Sequence, residues 1–294
     1  LKNFDESKKF IERLMIIAPD MGRAYQELGH IFRDMKKIDK AVIHYRQACE
    51  LNPALLASWS ALYKYFTENK NQPAADHARE QIEKLQSLPS ALLYIDQIMN
   101  EGRLGVAETQ CRAFLKKNPT HTYAMSLLSE IANRLGYFDD AEFLLEKAVE
   151  FKPKDGDLRM KYAQILRKKQ KFAKTLEQVN ILCDQYPDNH SYQAQKASEI
   201  MQNGGHEEAI KLLDNILQKN PYNFSTFTSK GHAQKTLGQT DEAIKSYQSA
   251  YKIKPDHGEA FFSLANLKTY SFSKDELNGM RDQVKRVDLS LRDK

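Results

Sequence analysis

The chain has 294 residues, and hydrophobic residues make up 41% of it, which is enough for a buried core and excludes a wholly disordered chain. No run of about 20 apolar residues is present to span a membrane, and the N-terminus has no charged-then-apolar signal sequence. Three widely spaced cysteines are typical of a cytoplasmic protein with free thiols. The net charge of +5 is too small to indicate nucleic-acid binding by itself.

Seven of the nine prolines follow a regular spacing. The intervals between them are 34, 66, 34, 34, 34 and 34 residues, and the interval of 66 equals two repeats with two residues missing. These prolines are Pro19, Pro53, Pro119, Pro153, Pro187, Pro221 and Pro255. A fixed period of 34 predicts helix–turn–helix repeats, with a proline closing each second helix.

The period divides the chain into predicted segments. A half repeat comes first and a last, incomplete repeat follows seven full ones, before a capping or linker helix that leads toward an absent C-terminal domain. The predicted boundaries are 1–21 for the half repeat, 22–55, 56–87, 88–121, 122–155, 156–189, 190–223 and 224–257 for the full repeats, 258–272 for the first helix of the last repeat, and 273–294 for the capping helix.

Residues 22–55 carry the clearest internal pattern. Tyr25, Leu28, Gly29 and Phe32 come first, and Ala41, Tyr45, Ala48 and Pro53 follow. This pattern resembles the tetratricopeptide repeat, and the resemblance covers nearly the whole chain. It implies an all-α fold, a right-handed superhelix or α-solenoid, whose first helices line a concave groove that binds a protein or peptide. Glycines 102, 136, 204 and 238 are predicted to permit the tight turns between paired helices.

The predicted groove residues are mixed in sign and polarity, and they show neither an asparagine ladder nor an evident carboxylate clamp. They are Gln26, His30, Arg33, Ser60, Lys64, Ser126, Glu130, Met160, Gln164, Thr228 and His232. The pattern therefore predicts partner binding without specifying the partner. No catalytic, cofactor-binding or metal-binding residue is predicted, because the cysteines and histidines lie singly at repeat positions.

Residues 152–174 hold nine lysines and arginines against two aspartates. The densest part is a candidate basic edge formed by Arg167, Lys168, Lys169 and Lys171. Two hypotheses fit it: docking of an acidic partner or nucleic acid, and a solvated edge without a ligand. The solvated edge is favoured and nucleic acid disfavoured, because no aromatic residues alternate with the cations to stack on bases.

Both ends of the sequence suggest a piece of a longer protein. The chain begins without methionine and in mid-repeat, so we expect an apolar face around Ile11, Leu14 and Met15 that permits self-association. At the other end, the Ser273–Glu276 motif predicts a capping box before a helix over roughly residues 274–290.

Residues 258–276, GEAFFSLANLKTYSFSKDE, resemble the linker of bacterial tetratricopeptide–sulfotransferase proteins. The resemblance implies a downstream domain that uses 3′-phosphoadenosine 5′-phosphosulfate (PAPS), and no residue within 1–294 is assigned to that cofactor. It predicts that this chain is the non-catalytic arm of a sulfotransferase. The alternative is a free-standing adaptor that assembles a protein complex.

Overall fold

The computed structural model describes residues 4–286, and that part of the chain contains seventeen α-helices. The prediction of an all-α fold is confirmed. The chain divides into two compact units, Leu1–Lys152 and Pro153–Lys294. Within each unit, successive helices pack against each other in pairs along the chain. Each of the seven regularly spaced prolines lies in the turn after a second helix.

The first unit contains nine helices in its described part, and α1 is followed by four pairs. Their bounds are α1 Phe4–Ile17, α2 Gly22–Asp34, α3 Ile38–Leu51, α4 Leu56–Glu68, α5 Gln72–Gln86, α6 Ser90–Asn100, α7 Leu104–Lys117, α8 Thr122–Arg134 and α9 Phe138–Phe151.

The second unit contains eight helices in its described part. Their bounds are α10 Gly156–Lys168, α11 Phe172–Gln185, α12 His190–Gln202, α13 His206–Lys219, α14 Phe224–Thr236, α15 Thr240–Ile253, α16 Gly258–Ala265 and α17 Lys274–Val284.

Small residues let the paired helices approach closely. Alanines 41, 75, 107, 141, 209 and 243, on the second helices, are all nearly inaccessible to solvent. Larger apolar side chains then fill the space between pairs, as Leu92, Ile95 and Ile131 do in the cluster that joins α6, α7 and α8. Burial of these side chains, each contributing about 1.5–3 kcal/mol, is what holds successive repeats together.

The turns inside the pairs repeat one backbone conformation. A residue with positive φ recurs at intervals of 34, 32, 34, 34, 34 and 34 residues: Lys36, Lys70, Gly102, Gly136, Gln170, Gly204 and Gly238. The four glycine turns predicted from the sequence are confirmed. The two lysines and the glutamine adopt the same left-handed conformation without glycine, and the short interval places the two missing residues between Lys70 and Gly102.

The last described helix follows the incomplete repeat predicted over residues 258–272. Ser273 caps α17, and the capping box with Glu276 is confirmed. Tyr270 and Phe272 in the preceding segment pack against the cluster formed by α15 and α16. The helix ends at Val284, and residues 287–294 of the predicted capping segment lie outside the described residues.

Candidate functional site

Three of the predicted groove residues are buried, and two of them bond to neighbouring elements. The side-chain oxygen of Gln26 on α2 accepts a 3.0 Å hydrogen bond from Ser58 on α4. The hydroxyl of Thr228 lies 2.9 Å from Nε2 of His257, and Ser126 is 2% exposed. The two hydrogen bonds join parts of the fold, so Gln26 and Thr228 are engaged within the protein, and Ser126 is buried.

The two predicted groove histidines occupy equivalent positions in the two units. Nδ1 of His30 lies 2.7 Å from the hydroxyl of Tyr45, and Nδ1 of His232 lies 3.0 Å from the hydroxyl of Tyr247. The second ring nitrogen of His232 lies 3.4 Å from a carboxylate oxygen of Glu259. Each imidazole therefore bridges a first helix to its own second helix.

The other predicted groove residues are exposed or half-buried, and their contacts are mainly on their own helices. Ser60 donates to the carbonyl of Leu56, and the Lys64 amine lies 4.0 Å from Glu68, so both side chains face solvent from α4. Arg33 pairs with its neighbour Asp34, and Glu130 pairs with Arg134. On α10, Gln164 is exposed and Met160 is half-buried.

Two exposed tyrosines on first helices were missed by the sequence analysis. Tyr63 on α4 and Tyr94 on α6 are 36% and 44% exposed. Tyr63 directly precedes Lys64. It lies 34 residues after Gly29 and so takes the position that the glycine has in the previous repeat. An aromatic residue in place of that glycine was the available signal, because Gly29 leaves room for the ring of Tyr45 and a tyrosine at this position does not.

The predicted basic edge divides into two parts. The guanidinium of Arg167 on α10 donates a 2.8 Å hydrogen bond to Glu199 on α12, whose side chain is fully buried. Arg167 therefore links two successive repeats. Its guanidinium pairs a buried carboxylate that would be costly to leave unpaired. Lys168 is exposed, while Lys169 and Lys171 are half-buried.

The thiols have the environment of structural residues. Cys49 and Cys111 are buried, and burial raises the pKa of each to about 12, far from that of a reactive thiolate. In residues 4–286, no three His, Cys, Asp or Glu side chains are grouped as metal ligands would be. No helix in the same range is long and apolar enough to cross a membrane.

The apolar side chains of α1 face two ways. Ile11 and Met15 pack against the core of α2 to α5. Phe10, Ile16 and Ile17 are exposed, and Leu14 is 38% exposed. The apolar surface of α1 thus lies next to the predicted residues Ile11 and Met15 and includes Leu14, and self-association through it stays a prediction.

Comparison with known proteins decides the type of repeat. The sequence profile of the tetratricopeptide repeat family matches residues 22–55, 123–155 and 224–257. The chain contains tetratricopeptide repeats at these three places. The matches fall in both units, and their boundaries repeat the period of the prolines.

Known tetratricopeptide proteins are similar to this chain at low sequence identity. The tetratricopeptide repeat-containing protein trd-1 of Caenorhabditis elegans is 27% identical over 134 residues, which are 45% of this chain and 16% of that protein. The chain thus matches a minor part of the length of that relative. The crystal structure of YrrB is 16% identical with a TM-score of 0.50 and covers 63% of this chain and 96% of YrrB. MamA is 15% identical with the same TM-score and covers 62% and 94%.

Proposed function

We propose that the chain is a protein- or peptide-binding scaffold and that the exposed face of α4 is part of its binding surface. The observation that carries the proposal is the triplet Ser60, Tyr63 and Lys64. These residues combine a hydroxyl, an aromatic ring and an amine on one rigid helix, and all three are exposed. Aromatic and hydrogen-bonding side chains held on a rigid element are typical of protein interfaces.

Two further observations support this function. Gln26, Ser126 and Thr228 are engaged inside the fold, so the exposed positions on the first helices are those left for a partner. YrrB, which shares the fold, is described as a tetratricopeptide protein with an unusual peptide-binding site. We propose that this chain likewise binds a peptide, on the exposed face of α4.

Peptide selection tests the proposal. Peptides would be selected from a random library against the full chain, and their affinities measured by calorimetry. Tyr63→Ala and Lys64→Glu should each weaken the binding of the selected peptides, because each variant removes one side chain from the exposed face of α4. Lys211→Glu makes the same charge change on an exposed position of the second helix α13 and should leave affinity unchanged. Peptides that lose affinity with Lys211→Glu and not with the α4 variants would contradict the proposal.

A second proposal concerns the larger protein. Residues 258–276 resemble the linker of tetratricopeptide–sulfotransferase proteins, so the scaffold is proposed to be the non-catalytic arm of such an enzyme. PAPS would then bind in a domain outside residues 1–294. The reading frame beyond Lys294 tests this: a phosphosulfate-binding loop supports the enzyme, whereas a stop codon favours the alternative of a free-standing adaptor.

A further inference from the structure

A polar pocket in the first unit lies on the turns between repeats, and no residue of α4 lines it. Its volume is about 730 Å³, and it is lined by residues from three successive junctions. Lys84 comes from the end of α5, Lys117 from the end of α7, and Lys152 follows α9. None of the lining residues described in the structure is an aspartate or a glutamate.

The three lysines are available for a ligand. All three are exposed, and no side-chain amine among them has an ion-pair or hydrogen-bond partner within residues 4–286. A lysine near a helix C-terminus is stabilising there, because the helix dipole places negative charge at that end. That effect accounts for each lysine singly but not for the convergence of three junctions on one pocket without a carboxylate.

The remaining polar groups of the pocket are suited to an anion. The hydroxyls of Thr120 and Thr122 have no hydrogen-bond partner in the described part of the chain. Nδ1 of His121 accepts a hydrogen bond from the backbone N–H of Ala124, which assigns the proton of the neutral ring to Nε2. His121 therefore adds a further donor, and the pocket offers ammonium, hydroxyl and imidazole donors together.

The carboxylate that contacts the lining residue Tyr123 already accepts hydrogen bonds within the protein. Asp96 accepts a 2.6 Å hydrogen bond from the hydroxyl of Tyr123 and a 2.9 Å bond from Asn100. Burial and the charge of Asp96 raise the pKa of Tyr123, so the phenol stays neutral. Tyr123 lines the pocket, whereas Asp96 is not among the lining residues.

We propose that this pocket binds an acidic peptide segment, with its carboxylates distributed over Lys84, Lys117 and Lys152. Lysines supply separate point charges, which suit carboxylates spaced along a peptide, and no arginine lines the pocket to hold a single anion with two parallel hydrogen bonds. The one lining tyrosine is half-buried with its hydroxyl engaged, so the pocket lacks an open surface for base stacking. A peptide fits these features better than a nucleic acid, and the proposal is independent of binding at α4.

The test uses the full chain and labelled octaglutamate, with octaglutamine as the uncharged control. Fluorescence anisotropy should show binding of octaglutamate alone, which weakens when salt is raised from about 50 to about 300 mM because exposed charges are screened. The triple variant Lys84→Gln, Lys117→Gln, Lys152→Gln should bind about tenfold or more weakly, because three exposed cations are removed.

A matched triple variant, Lys9→Gln, Lys37→Gln, Lys116→Gln, removes the same charge from exposed positions of the same unit that do not line the pocket. Lys116 is the immediate neighbour of Lys117, so this control separates the pocket from general charge. The control should bind like the unmodified chain. Equal losses in both triple variants, no binding of octaglutamate, or tighter binding of a single-stranded oligonucleotide that the pocket variant abolishes would each overturn the proposal.

Discussion

The ring of Tyr45 lies so close over Gly29 that a Cβ atom added to the glycine would stand 2.7 Å from the Tyr45 Cε1 atom. The second unit repeats this arrangement at Gly231 and Tyr247, where the corresponding distance is 2.5 Å. In both units the tyrosine hydroxyl also reaches the histidine that follows the glycine. Glycine, histidine and tyrosine thus form one packing unit that joins a first helix to its second helix.

Gly29→Ala should destabilise the first unit by about 1–3 kcal/mol, because Tyr45 is buried and cannot move away from the added methyl group. Urea unfolding followed by the fluorescence of Trp59, the one tryptophan of the chain, measures this. Gly105→Ala is the matched control, since Gly105 lies in α7 with open space around it. This substitution should raise the free energy of unfolding by about 0.5–1 kcal/mol. Equal effects of the two substitutions would show that Tyr45 does not constrain Gly29.

The helical pairs and their glycine turns were predictable because both repeat along the sequence. The left-handed turns at Lys36, Lys70 and Gln170 were not, since nothing in those side chains marks a positive φ and only the period points to them. The bond between His30 and Tyr45 was missed because it depends on a contact across two helices. The pocket lysines 84, 117 and 152 are 33 and 35 residues apart, so near-periodicity was the only available signal.

Lys70→Gly should stabilise the first unit by about 0.5–1 kcal/mol. Lys70 has a φ of 54°, which is unfavourable for a residue with a Cβ atom, whereas glycine adopts this conformation freely. Lys64→Gly is the control: it makes the same replacement within α4 and should cost about 1 kcal/mol. Thermal unfolding of the two variants gives the comparison. A loss of stability in both would mean that the Lys70 side chain contributes more than its backbone conformation costs.

The first unit should lose stability as the pH falls. Burial lowers the pKa of both His30 and His44 below the value in the unfolded chain, so the unfolded state binds protons more readily. Stability is then fully present above a pH of about 6.5 and decreases as the pH falls through that value. Trp59 fluorescence in urea at pH 8 and at pH 5.5 (both about one unit or more from the unfolded pKa) measures the difference.

His44→Phe should reduce this pH dependence. The imidazole of His44 stacks on Phe32 with ring centroids 5.2 Å apart, so phenylalanine keeps the aromatic contact and removes the titrating group. His206→Gln, on α13 in the second unit, should leave the pH dependence reported by Trp59 as it is. An unchanged pH dependence in His44→Phe would assign the effect to other groups.

The attachment of α17 should depend on the charge of Glu276. Its carboxylate accepts hydrogen bonds from the hydroxyls of Tyr251 and Tyr270 and from Ser273. Burial raises the pKa of Glu276, but these hydrogen bonds outweigh burial and bring the pKa down to about 2. Because the folded pKa lies below the ordinary value of 4.5, the stabilisation is complete above that pH and is lost as the pH falls toward 2.

Glu276→Gln should therefore loosen α17 at neutral pH, because an uncharged amide accepts the tyrosine hydroxyls less strongly. Hydrogen exchange of residues 274–284 should accelerate, while that of α14 stays slow. Asp275→Asn removes the same charge from the adjacent residue, which is exposed in the same first turn, and should have a smaller effect through the helix dipole alone. Equal acceleration in both variants would mean that the helix dipole, and not the contact with Tyr251 and Tyr270, holds α17 in place.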